Sequence, residues 1–102
     1  MISLLGRTAI LTHEALERYR FRRGIDLEVC RKSLAARDYA TIERVGHTLK
    51  GNGETFGYPE LSLLGASLEN SARRRDPAGI EGHLLALSHW ISDHICRGGL
   101  GR

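Results

Sequence analysis

A chain of 102 residues has the length of one domain, and folding at this size removes roughly 60 to 70% of the unfolded surface from water, enough for one core and not for two. Its 41% apolar and 26% charged residues exclude both a disordered chain and a membrane-embedded one. A net charge of +3, with 12 acidic residues interspersed among 15 basic ones, allows acidic partners but implies no steering field for nucleic acid.

Residues 1 to 8 carry Gly6 and no sustained period, and read as an N-terminal arm. Met1-Ile2-Ser3-Leu4-Leu5 is too short for the apolar region of a secretory signal, and no window approaches the roughly 20 apolar residues of a membrane span. Cys30 and Cys96 lie far apart without metal-ligand spacing, so they are expected to be reduced thiols of a soluble, cytoplasmic protein. Helix begins near Ile10 or Thr12, and Leu16, Tyr19, Arg23, Leu27, Cys30 and Leu34 fall on one face of it. Gly24 interrupts this run and marks a place for a kink. Tyr19 and Arg23 either line a groove or cap the edge of the core, the second being the commoner use of long amphipathic side chains at a bundle seam.

Asp38 is placed to accept from the first free amides of a second helix that starts at Tyr39. That helix should run to Phe56 or Gly57, where glycine tolerates a left-handed turn. Pro59 then opens a third helix with Leu61, Leu64, Gly65, Leu68 and Ala72 on one face. It runs out in Arg73-Arg74-Arg75, cations suited to the negative end of a helix. Asp76-Pro77 repeats the cap-and-proline start, and Ile80, Leu84, Leu87, Ile91 and Ile95 form the stripe of a fourth helix with Trp90 on its flank. Residues 98 to 102 have no pattern and read as a flexible tail. The expected fold is all-α, an antiparallel four-helix bundle with left-handed packing, spanning about residues 10–96.

The stretch His47-Thr48-Leu49-Lys50-Gly51-Asn52-Gly53-Glu54-Thr55-Phe56-Gly57 departs from this generic pattern. Wound at roughly 100° per residue, it puts Ile42, Val45, Gly46, Leu49, Gly53 and Phe56 on one stripe and Glu43, Arg44, His47, Lys50, Gly51 and Glu54 on the other side. Each helical glycine costs on the order of 1 kcal/mol relative to alanine, so each needs a reason. Gly46 and Gly53 lie on the packed stripe, where a missing side chain lets a neighbouring helix come close. Gly51 lies on the wet face, one turn beyond His47, where its bareness helps only if another molecule must approach the imidazole.

These residues resemble the histidine-containing phosphotransfer (HPt) domains of bacterial and plant phosphorelays. The family signature, His-x-Leu-Lys-Gly, then Gly six residues on, then a Leu-rich helix ending near Leu-Glu, is matched by His47, Leu49, Lys50, Gly51, Gly57, Leu61, Leu64, Leu68 and Glu69. The resemblance covers roughly residues 12 to 95. The chain departs from the family pattern at Gly46, where alanine is commoner, and in Asn52-Gly53-Glu54, where Ser or Ala is common.

The resemblance implies a single HPt domain over residues 1–102 that carries a phosphoryl group on His47 Nε2 between receiver-domain aspartates. Neutral imidazole offers a nitrogen lone pair near neutral pH, and positioning plus charge neutralisation supply most of the catalysis in phosphoryl transfer. Lys50, on the same face as His47, is expected to neutralise phosphoryl oxygens, Gly51 to give access, and Gly57 to serve the turn. Glu43, Arg44 and Glu54 are expected to contact the partner, a response-regulator receiver domain or a hybrid histidine kinase. No acid or base partner for His47 is evident on the chain. No cofactor or metal site is expected on it either; Mg²⁺ is expected to come with the receiver, and the domain to act as a monomer. With no ATP site, the chain is expected to be a phosphocarrier and not an enzyme in its own right. Two alternatives stay open: an adaptor that binds receivers without using His47, and a small basic nucleic-acid-binding bundle. Against the latter, Arg73-Arg74-Arg75 lacks interleaved aromatics and a recognition-helix pattern. His13, His83, His89 and His94 lack the spacing of a zinc site and read as surface or bundle-edge residues.

Overall fold

Three of the four helix starts are fixed by a side chain that accepts from an otherwise free amide. Thr12 accepts from the Ala15 amide at 3.1 Å and opens α1, His13–Ala35. Asp38 accepts from the Thr41 amide at 3.2 Å and opens α2, Tyr39–Asn52. Helix α3, Pro59–Arg73, has no side-chain cap and begins on its proline, whose missing N–H costs nothing there. Asp76 accepts from the Gly79 amide at 3.1 Å and opens α4, Pro77–Ile91, which a π-helical turn, Ser92–Cys96, prolongs. The computed structural model describes residues 12–96, and among them there is no strand. The N-terminal arm and the C-terminal tail expected from the sequence lie outside the described residues. Among the described residues no helix is long and apolar enough to cross a membrane.

Each helix packs on two neighbours, α1 on α2 and α4, and α3 on α2 and α4. The core they enclose takes Leu27 and Cys30 from α1, Ile42 and Leu49 from α2, Leu61, Leu68 and Ala72 from α3, and Ile80, Leu84, Leu87 and Trp90 from α4. The all-α bundle expected from the stripes is therefore the fold observed. Cys30 is a free thiol, fully buried, and burial pushes its pKa up to about 12. Since the thiolate is the reactive form, Cys30 should resist iodoacetamide at pH 8 in the native protein and react only in denaturant. Peptide mapping of a native sample that found Cys30 alkylated as fast as in denaturant would contradict its burial.

The structure corrects three sequence expectations. Helix α1 runs through Gly24 without a break, because Leu27, Cys30 and Ser33 continue its buried face beyond the glycine. Helix α2 stops at Asn52, short of Phe56: the Glu54 amide leaves the helical ladder to donate to Ser62 Oγ at 2.7 Å. The following turn brings the Phe56 ring against Tyr19, with centroids 4.2 Å apart, and Gly57 takes the left-handed conformation at φ 90°. Trp90 is buried and not flanking; its indole N–H donates to Glu60 Oε2 at 3.0 Å, which satisfies the polar end of a ring otherwise packed in the core.

The α2–α3 seam is the most extensive of the bundle, and glycines make it so. A Cβ on Gly46 would lie 2.7 Å from the Glu69 backbone nitrogen and 2.8 Å from the Gly65 carbonyl oxygen. One on Gly53 would lie 2.5 Å from the Ser62 nitrogen. The two helices thus touch backbone to backbone, and this contact sets where the side chains at their edge meet.

Candidate functional site

At the edge of that seam His47 stands out from α2 with its side chain 68% exposed. Its Nδ1 lies 3.0 Å from Glu69 Oε2 on α3. A carboxylate oxygen can only accept, so Nδ1 carries the proton in this bond, and in the neutral ring Nε2 is left with the lone pair. Glu69 itself is buried, only 5% exposed, and sits there because Gly46 and Gly65 allow α3 to approach. Its second oxygen, Oε1, takes Lys50 Nζ at 2.9 Å, and Arg73 Nη2 reaches Oε2 at 3.1 Å. Arg73 Nε goes on to Glu43 Oε2 at 3.1 Å, so one chain of ion pairs and hydrogen bonds runs from Glu43 through Arg73 and Glu69 to His47 and Lys50.

The sequence shows no evident acid or base partner for His47, and the structure corrects this: Glu69, in sequence only the end of the Leu-rich helix, is that partner. One signal was available: Glu69 follows Gly65 by a helical turn and so stands on the packed stripe, where a lone carboxylate needs partners. Arg73, in sequence part of a helix-end charge run, is likewise committed to both carboxylates. These tertiary contacts cross 22 and 30 positions of sequence and leave no local pattern.

The remaining expected site residues scatter around this centre. Gly51 is exposed, and a Cβ there would meet nothing within 4 Å. Arg44 is exposed beside His47, with a long 3.4 Å contact to Thr41 Oγ1. Glu43 is held by Arg73. Glu54 is exposed in the turn after α2, so the helical winding that grouped it with His47 ends before reaching it. Of the other histidines, His83 Nε2 hydrogen-bonds Ser71 Oγ, His94 stacks on Trp90 with Nδ1 donating to the Trp90 carbonyl, and His13 pairs with Glu17.

Hydrogen bonding from Lys50 holds the Glu69 carboxyl below its ordinary value of 4.5, with a smaller contribution from His47 and against the opposing pull of its desolvation. A carboxyl lowered on folding stabilises the fold above its ordinary pKa, and that contribution is lost as pH falls through the lowered one. Glu69→Gln should therefore be less stable than wild type in urea at pH 7, and the difference should shrink at pH 3. A gap that stays constant across that range would mean the carboxylate charge contributes nothing.

The bundle thus presents at this seam an exposed imidazole held by a buried carboxylate and flanked by a lysine and a bare glycine. The family model described as Hpt domain matches residues 14–93, well over half of the chain. The chain belongs to the Hpt domain family, whose members are phosphocarrier modules of two-component signalling that interact with receiver domains and kinases. No curated protein and no solved structure matches it.

Proposed function

We propose that this chain carries a phosphoryl group on His47 Nε2 between the aspartates of receiver domains in a phosphorelay. The observation that supports it most is the His47–Glu69 hydrogen bond, which commits Nδ1 to the protein and turns Nε2 outward. In the transfer, the Nε2 lone pair forms a bond to phosphorus as the bond from phosphorus to the aspartyl oxygen breaks, and the electron pair of that bond leaves with the carboxylate. The ring becomes cationic as it is phosphorylated, and Glu69 sits where that charge is stabilised. Lys50, held by Glu69 at 2.9 Å, is within one helical turn of His47 and neutralises phosphoryl oxygens. Gly51 leaves the approach open, and Arg44 and Glu43 border it. Mg²⁺ belongs to the incoming receiver.

The test is incubation with a panel of phosphorylated receiver domains and Mg²⁺, read by intact mass. One acid-labile phosphoryl adduct per chain is expected. Receivers that bind while no adduct ever forms would replace this reading with that of an adaptor.

A further inference from the structure

A groove of about 840 Å³ runs between α1 and α2, bordered by Arg18, Arg22, Arg23, Arg44 and a single carboxylate, Asp26. Asp26 is taken by Arg23, whose Nε lies 2.9 Å from Asp26 Oδ2. This is an ion pair by distance without the alignment of a hydrogen bond, since Arg23 Nε and Nη1 are both buried without a hydrogen-bond partner. Arg23 forms the floor, its guanidinium 4.1 Å from the centroid of the Tyr19 ring. Arg18, Arg22 and Arg44 form the rim, all exposed, and among the described residues none of them makes a direct ion pair, while Arg22 acts on Asp26 and Arg44 on Asp38 from further away. The described lining of the groove therefore carries four arginines against one carboxylate, an excess of positive charge.

Arg44 also borders the depression that holds His47, so the groove and the acceptor form one continuous surface. On the outer shoulder of α1, Phe21, Ile25 and Val29 are exposed by 67%, 45% and 38%. They repeat every four residues, and Arg18 and Arg22 each precede one of them by three, so cations and apolar side chains are neighbours on one face. A small free anion would use the arginines and leave that stripe in water. A protein surface carrying carboxylates beside apolar side chains would cover both.

We propose that the α1–α2 groove is a specificity-determining dock for an acidic element of the phosphodonor receiver domain. In it Arg18, Arg22 and Arg44 select carboxylates, and Phe21, Ile25 and Val29 supply the apolar cover. This rests on His47 being the phosphoacceptor. Charge complementarity acts mainly on encounter and on the rejection of wrong partners, so the effect belongs in kcat/KM and its salt dependence and not in the chemistry at Nε2.

The experiment uses phosphorylated receiver domains ranging from acidic to basic, with wild type, Arg18→Glu/Arg22→Glu and Arg18→Gln/Arg22→Gln. Each protein is also treated with phosphoramidate, a small chemical donor that needs no dock. The charge-inverted variant should lose about ten-fold or more in kcat/KM with acidic receivers at low salt, and gain with basic ones. The neutral variant should lose most of the salt dependence. Phosphoramidate should label His47 equally in all three, which also shows that the fold is intact. Equal transfer to wild type and the inverted variant across the panel overturns the dock while leaving His47 in its role. Failure of both donors to label wild type overturns the reading beneath it, and the dock with it.

Discussion

His47→Gln is expected to abolish the acid-labile adduct from a phosphorylated receiver while leaving the bundle folded. The position is exposed, and glutamine has as good a helix propensity as histidine or better, so nothing in the core changes. A glutamine amide can still donate to Glu69, which preserves the partner of the buried carboxylate. What disappears is the nitrogen lone pair. No other described histidine is expected to replace it: His83 and His94 are tied into the bundle, and His13 pairs with the exposed Glu17 and not with a buried carboxylate that also holds a lysine. The loss should therefore exceed about a hundred-fold in initial rate, the lower end of what a positioned proton-transfer or nucleophilic group supplies. Intact mass and thermal unfolding on one preparation check both halves. An adduct that persists at the wild-type rate would place the acceptor elsewhere and remove the basis for every role assigned around His47.

Much of this arrangement was legible locally, because its causes are local. Asp38, Pro59 and Asp76 mark helix starts by chemistry that acts within a single turn, and Gly57 marks a left-handed residue that disfavours a side chain. The α2 stripe of Ile42, Gly46 and Leu49 followed from helical spacing, and those residues are buried. The misses have non-local causes. Helix α2 ends where Ser62, from the next helix, captures the Glu54 amide, and Trp90 is buried because Glu60, 30 positions away, satisfies its N–H. Glu69 escaped for the same reason: its meaning depends on how closely two helices approach. The glycines that permit that approach were read correctly as packing residues at Gly46 and Gly53, yet the side chain they deliver to His47 was not.

Gly65→Ala should be the most damaging small substitution in the bundle, although alanine is the better helix former. Its Cβ would lie 2.5 Å from the Lys50 backbone nitrogen, 2.7 Å from the Gly46 carbonyl oxygen and 2.9 Å from the Leu49 carbonyl carbon. All three are backbone atoms, so no side chain can rotate away, and α2 and α3 must part. Overpacking of this kind costs about 1 to 3 kcal/mol, and the gain in helix propensity returns roughly 1 kcal/mol. Contact with backbone on every side puts the cost at the upper end, for a net loss of about 2 kcal/mol. In a chain of this size that lowers the melting temperature by roughly 10 °C. Gly51→Ala is the matched control: its Cβ meets nothing within 4 Å, so it should be neutral or stabilising by up to about 1 kcal/mol. Parting the helices also draws Glu69 away from His47 Nδ1, so Gly65→Ala should slow phosphoryl transfer below what its folded fraction explains. A melting temperature at or above wild type would mean that the seam yields without cost. In that case its closeness would not hold Glu69 against the imidazole.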